Sequence, residues 1–141
     1  MQSKKNSLVK EAHASREQAF ALIFEKSFSE DSVDDIIEGA AQARDIVVTD
    51  MARDYAVAVF EDLERIDGTI EKFLVARSKA RLSKVVLAVL RLSVYEILNG
   101  KVDAPVSINE AVELTKTYAS DEEAGFVNGV LGSLIRSQGE N

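Results

Sequence analysis

Ser107–Leu134, SINEAVELTKTYASDEEAGFVNGVLGSL, reads as two helices with a sharp joint between them. Ser107 with Glu110, and Ser120 with Glu123, have the spacing of capping boxes. In such a box the serine accepts from a free amide of the first turn and the glutamate reaches back to the cap. Pro105 precedes the first box and is expected to end whatever element comes before it. Val127, Val130, Leu131 and Leu134 then recur at helical spacing beside Phe126. The stretch is a helical hairpin by local physics alone.

Working outward, every other periodic segment is helical as well. Residues 9–28 carry Ala12, Ala19, Phe20, Ile23 and Phe24 on one stripe. Residues 33–43 follow Ser32, with Asp35 three places on, and carry Val33, Ile36, Ile37 and Ala40. Residues 50–66, capped by Thr49 or Asp50, carry Met51, Tyr55, Val59, Leu63 and Ile66. Gly68 is expected to mark a joint before a short fourth helix with Ile70, Phe73 and Leu74. Residues 82–99 are apolar nearly all round, which predicts the buried centre of the fold, with Val85, Leu87, Val89, Leu90, Val94 and Leu98 inside. Asn99 and Gly100 are its stop signal. No alternating strand pattern, internal repeat or low-complexity segment is present. The expectation is an all-α, compact bundle of about seven helices, a single domain over residues 1–141.

Composition narrows the chemistry. There is no cysteine and one histidine, His13, which excludes a disulfide framework and a cysteine zinc site and fits a reducing cytoplasm. The first residues are polar and lack the apolar core of a secretion signal. The longest apolar run, Val85 to Leu98, is 14 residues and is interrupted by Arg91, Ser93 and Glu96. A membrane span needs about 20. No nucleophile–base pair is recognisable, so no enzyme, no cofactor and no metal site are expected.

The net charge of −7 argues against nucleic acid until its distribution is examined. Residues 1–26 carry five cations against three acids, and residues 72–101 carry seven against Glu96 alone. Residues 30–71 carry thirteen acids against three arginines. Local field governs anion binding more than the total does, so two basic segments remain candidates for phosphate contact. Solvated basic faces are the plainer reading of the same pattern.

The wording of INEAVEL…FVNGVL resembles the C-terminal helices of the NusB family. LSKVVLAVLRLSVYEIL is similar to that family's central helix, and SREQAFALIF to its N-terminal one. The resemblance covers nearly the whole chain. It implies a seven-helix, all-α, RNA-binding domain in transcription antitermination. It further implies binding of boxA-type RNA from ribosomal RNA operon leaders, together with a small-subunit ribosomal protein, NusE. Other Nus factors and RNA polymerase would be engaged indirectly, in the cytoplasm and with no membrane. The chain departs from the family where Ala12, His13 and Ala14 stand in place of common arginines, where Phe24 replaces a frequent tyrosine, and where Val86 replaces an acid that faces the ribosomal protein.

The residues so implicated in RNA binding are Lys5, Lys10, His13, Arg16, Phe126 and Asn128, and those in partner binding are Val86, Arg91, Asp121 and Glu122. Arg16 reads either as a phosphate contact or as a solvated surface arginine. Phe126 reads equally as core and as a stacking platform for a base, an interaction worth about 1–3 kcal/mol. Asn128 reads as a base-edge contact or a helix bridge, and Gly125, Gly129 and Gly132 as sites of close helix approach. The alternative function is a helical protein-binding adaptor with reduced or lost RNA affinity. A relative of the helical domain attached to some ribosomal RNA methyltransferases would call for a nucleotide-binding domain, and no Gly-rich loop after a strand is present.

Overall fold

A computed structural model of the chain describes the backbone of residues 2–44 and 46–139, and the side chains of residues 8–43 and 46–139. Among these residues there are seven α-helices and no strand. They are α1 (Gln2–Lys26), α2 (Val33–Arg44), α3 (Asp50–Glu61), α4 (Leu63–Lys72), α5 (Lys84–Leu98), α6 (Ala104–Tyr118) and α7 (Asp121–Gly139), with a 3-10 turn at Lys79–Arg81 before α5. The contacts fall into two compact units, residues 1–58 and 59–141, divided within α3.

In the first unit, Ser32 Oγ accepts from the Asp35 amide at 3.1 Å and starts α2. Thr49 Oγ1 accepts from the Ala52 amide at 3.2 Å and starts α3. These are the caps expected of such residues. Thr49 also bonds Ser15 on α1 at 2.9 Å, while Gln18 donates to the Val47 carbonyl and accepts from the Thr49 amide. The loop before α3 is thereby pinned to α1. Ala19, Phe20, Leu22, Ile23, Val33, Ala52, Tyr55 and Ala56 are buried. Part of the acidic segment is neutralised here, because Arg53 holds Asp34 through two bonds of 2.7 and 3.0 Å and reaches Asp54 at 3.2 Å. Hydrogen bonding to Arg53 keeps the Asp34 carboxyl below its ordinary value.

The second unit is built around α5, which packs against α4, α6 and α7. Ser83 caps it through the Val86 amide at 3.1 Å. Residues 86 to 97 are all buried, while Val85 and Leu98 at its ends are half-buried. Asn99 ends the helix, and Gly100 takes the left-handed backbone, φ +59°, that a residue with a Cβ adopts at a cost.

Two polar groups of α5 require partners in this interior. Arg91 donates from Nε and Nη2 to the two carboxylate oxygens of Asp67 on α4, at 2.9 and 2.8 Å, and its guanidinium lies 5.9 Å from the Phe60 ring centre. Lys79 adds a third contact to Asp67 at 3.2 Å. Glu96 accepts from Ser107 Oγ at 3.1 Å, and Ser107 is 2.7 Å from Ser93 Oγ. Every buried polar side-chain atom among the described residues has a partner.

Three local expectations are corrected. The break after α3 falls at Asp62, and Gly68 lies inside α4. Glycine costs a helix only about 1 kcal/mol relative to alanine, which packing of Ile66 and Ile70 readily offsets. Helix α6 begins at Ala104, so Ser107 is an interior residue bonded to α5 and not a cap. Pro105 sits in the first turn, where the amide it lacks would have had no intrahelical partner. The glycines of α7 are not close-approach sites. A Cβ on Gly125 or Gly129 meets nothing within 4 Å, and one on Gly132 meets only the Arg136 guanidinium at 3.3 Å.

Removing one member of a buried ion pair strands the other. Asp67→Ala is therefore expected to destabilise the chain by about 3–5 kcal/mol, read by chemical denaturation. Burial pushes the Asp67 carboxyl up, and the bonds and charge of Arg91, with Lys79 adding to them, pull it down further, so it titrates below the usual carboxylate range. A depressed carboxyl contributes stability above its unfolded value of about 3.9 and loses it as the pH falls through the folded value. Stability is expected to decline below about pH 4 in the native chain, with a smaller acid-dependent decline in Asp67→Asn.

Candidate nucleic-acid interface

The period of α1 sorts its cations onto two faces. Lys10 and His13 are exposed, and His13 Nε2 lies 4.0 Å from the Glu17 carboxylate one turn on. Arg16 falls three or four residues from Ala12, Ala19 and Phe20, which places it on the inward stripe, and it is only 5% exposed. The reading of Arg16 as a solvated surface arginine is thus corrected, and its guanidinium is no ready contact for a phosphate. The Lys5 side chain lies outside the described residues.

The period of α7 does the same for its apolar residues. Ala124, Val127, Val130, Leu131 and Leu134 point into the core. Phe126 is offset from that stripe and is half-buried, and Asn128 is exposed. Ser120 caps the helix by accepting from the Glu123 amide at 3.1 Å, and Asp121 and Glu122 stand exposed in the first turn, where acids offset the helix dipole.

Arg77, from the loop after α4, meets this joint. Its guanidinium carbon lies 4.3 Å from the Phe126 ring centre, and Nη1 reaches the two Glu123 carboxylate oxygens at 3.2 and 3.4 Å. Beside the ring runs a groove of about 320 Å³ walled by Phe73, Val75, Gly125, Phe126, Gly129, Val130, Ser133 and Arg136. Arg136 donates to Ser133 at 3.1 Å along the same face of α7. An apolar floor with guanidinium groups near it suits a planar base carrying a phosphate. A second groove, of about 390 Å³ in the first unit, is rimmed by Glu25, Asp31 and Asp35, whose charge repels phosphate.

Two partner-binding expectations are also corrected. Val86 is 1% exposed and Arg91 is 8% exposed and bonded to Asp67, so neither offers a surface. Asp121 and Glu122 do. Sequence reasoning missed Arg77, Glu123 and Arg136 as neighbours of Phe126. The available signal was the basic segment 72–101, in which Arg77 lies.

The fold and this joint define a class, an all-α protein with a cationic and aromatic surface patch on a helical hairpin. Comparison with known proteins makes the class specific. The NusB family profile matches residues 13–136. The transcription antitermination protein NusB of Acetivibrio thermocellus is 42% identical over 129 residues, covering 87% of each chain. That of Clostridium acetobutylicum is 39% identical over 129 residues, covering 89% of this chain and 96% of its own. A crystal structure of the antitermination factors NusB and NusE in complex with double-stranded RNA contains a chain that superposes with a TM-score of 0.78 at 27% identity, covering 89% of this chain and 96% of that one. The chain belongs to the NusB family.

Burial separates Arg16 from Lys10 in its effect on stability. Arg16→Ala is expected to lower thermal stability measurably, and Lys10→Ala to change it by no more than about 0.5 kcal/mol. Phe126→Ala, at a half-buried position, is expected to cost less than the roughly 3–5 kcal/mol of a fully buried phenylalanine.

Proposed function

We propose that this chain is a transcription antitermination factor that binds boxA-type RNA from ribosomal RNA operon leaders together with the ribosomal protein NusE. In the cytoplasm it would help RNA polymerase, with other Nus factors, to read through terminators. The observation that carries the reading is the family match over residues 13–136, supported by the likeness to a NusB chain seen with NusE and RNA. Lys10 and His13 on the open face of α1, and Phe126 and Asn128 on α7, are the RNA-contacting side chains of this reading, with Asp121 and Glu122 toward the protein partner. No described helix is long and apolar enough to cross a membrane.

Three observations favour a second reading, a protein-binding adaptor with reduced RNA affinity. Arg16 is turned inward, alanines stand at positions 12 and 14, and the whole chain carries −7. Weak binding by the chain alone is the common ground of both readings, and NusE separates them. Titrating a boxA-type RNA with the chain, with and without NusE, should show tighter binding in its presence, by about 5- to 150-fold. Linkage requires RNA to tighten NusE binding by the same factor. Equal RNA affinities would mean independent binding. NusE binding with no RNA binding in either titration would establish the adaptor.

A further inference from the structure

We propose that Arg77 is a phosphate-contacting residue of the Phe126 RNA site, held in readiness by Glu123. The proposal rests on the RNA-binding reading above and extends it to a residue of the loop after α4. Three features of the joint lead to it.

The first is the half-used fork. A guanidinium carries five N–H donors in a fixed plane. Among the described residues Arg77 is hydrogen-bonded through Nη1 alone, to Glu123. Nε and Nη2 remain for a second anion, and a guanidinium takes phosphate through two parallel bonds. The second is location. The guanidinium lies over the Phe126 ring at 4.3 Å but forms no wall of the adjoining groove. The ring thus has a cation at its face and an open apolar groove beside it, the arrangement that single-stranded nucleic-acid sites use for a base and its phosphate. The third is the loop itself. Ala76, next to Arg77, is the only non-glycine residue with positive φ among the described residues, at 61°, and Val75 before it is 81% exposed. Strained backbone of this kind persists where the surroundings hold it.

Glu123 then has a defined role. Arg77 and Glu123 are about a third exposed, so their pair is weak and exchangeable. In the free chain the carboxylate orients the guanidinium over the ring. When RNA arrives, phosphate takes the free donors and competes with Glu123 for the rest.

The test uses the full chain with NusE and a boxA-type RNA, titrated over a range of salt, with thermal unfolding of each variant alongside. Arg77→Ala should weaken binding about tenfold, and should reduce the slope of log affinity against log salt by about 0.7, the share of one phosphate on a single strand. Arg77→Lys should keep the slope and lose part of the affinity, because an ammonium has no bidentate fork. Glu123→Gln keeps an oxygen that accepts from Nη1 but loses the charge that competes with phosphate, so it should tighten binding, and the gain should vanish in the Arg77→Ala background, since it acts through the guanidinium. Wild-type affinity and slope in Arg77→Ala would overturn the proposal. So would a Glu123→Gln gain that persists without Arg77, which would mean simple repulsion between the carboxylate and RNA. Absence of RNA binding by the unmodified chain with NusE would instead overturn the RNA-binding reading itself.

Discussion

The buried bond between Arg91 and Asp67 is the constraint on which the second unit depends. Helix α5 is enclosed on every side from residue 86 to residue 97. A charge in such a helix is tolerable only with a partner of opposite sign and good geometry. Two short, parallel bonds to the Asp67 carboxylate meet that requirement and fix α4 in both register and rotation against α5. Glu96 imposes the matching condition on the other side, where Ser107 must face it for α6 to pack. Any other rotation would leave a buried charge without its partner. The polar pairs select one.

That selection sets the hairpin that follows. With α6 anchored through Ser107, α7 returns along it and against α5, using Ala124, Val127, Val130, Leu131 and Leu134. The helical period then leaves Phe126 to one side of the buried stripe. The ring is half-covered rather than enclosed, and Arg77 and the groove lie beside it. The surface chemistry of the joint is thus a by-product of which residues the core takes.

Much of the fold was legible because its signals are local. Ser32, Thr49 and Ser120 bond amides three residues on, and Asn99–Gly100 closes α5 within one turn. The Ser107 reading failed although its spacing was right. A capping pattern states only that a cap is possible, and Asp103 with Pro105 starts the same helix earlier. Arg16 failed for a different reason. Its periodicity placed it on the inward stripe, and its residue type argued for solvent. The stripe prevailed, as it does where the long aliphatic stem of an arginine packs along apolar neighbours.

The sequence by itself determined an all-helical chain, the start and stop of most helices, the central apolar helix and, through the wording of three segments, the family. These rest on hydrogen bonds spanning three or four residues and on a period of 3.6. Only the tertiary structure decided which charges are structural and which face outward. Arg91 and Asp67 are 24 positions apart, and Arg77 and Glu123 are 46 apart. No local pattern distinguishes an arginine that will meet a carboxylate inside the core from one that will meet it on the surface over an aromatic ring. That difference arises when helices pack, because burial makes a pair obligatory in one place and exchangeable in the other.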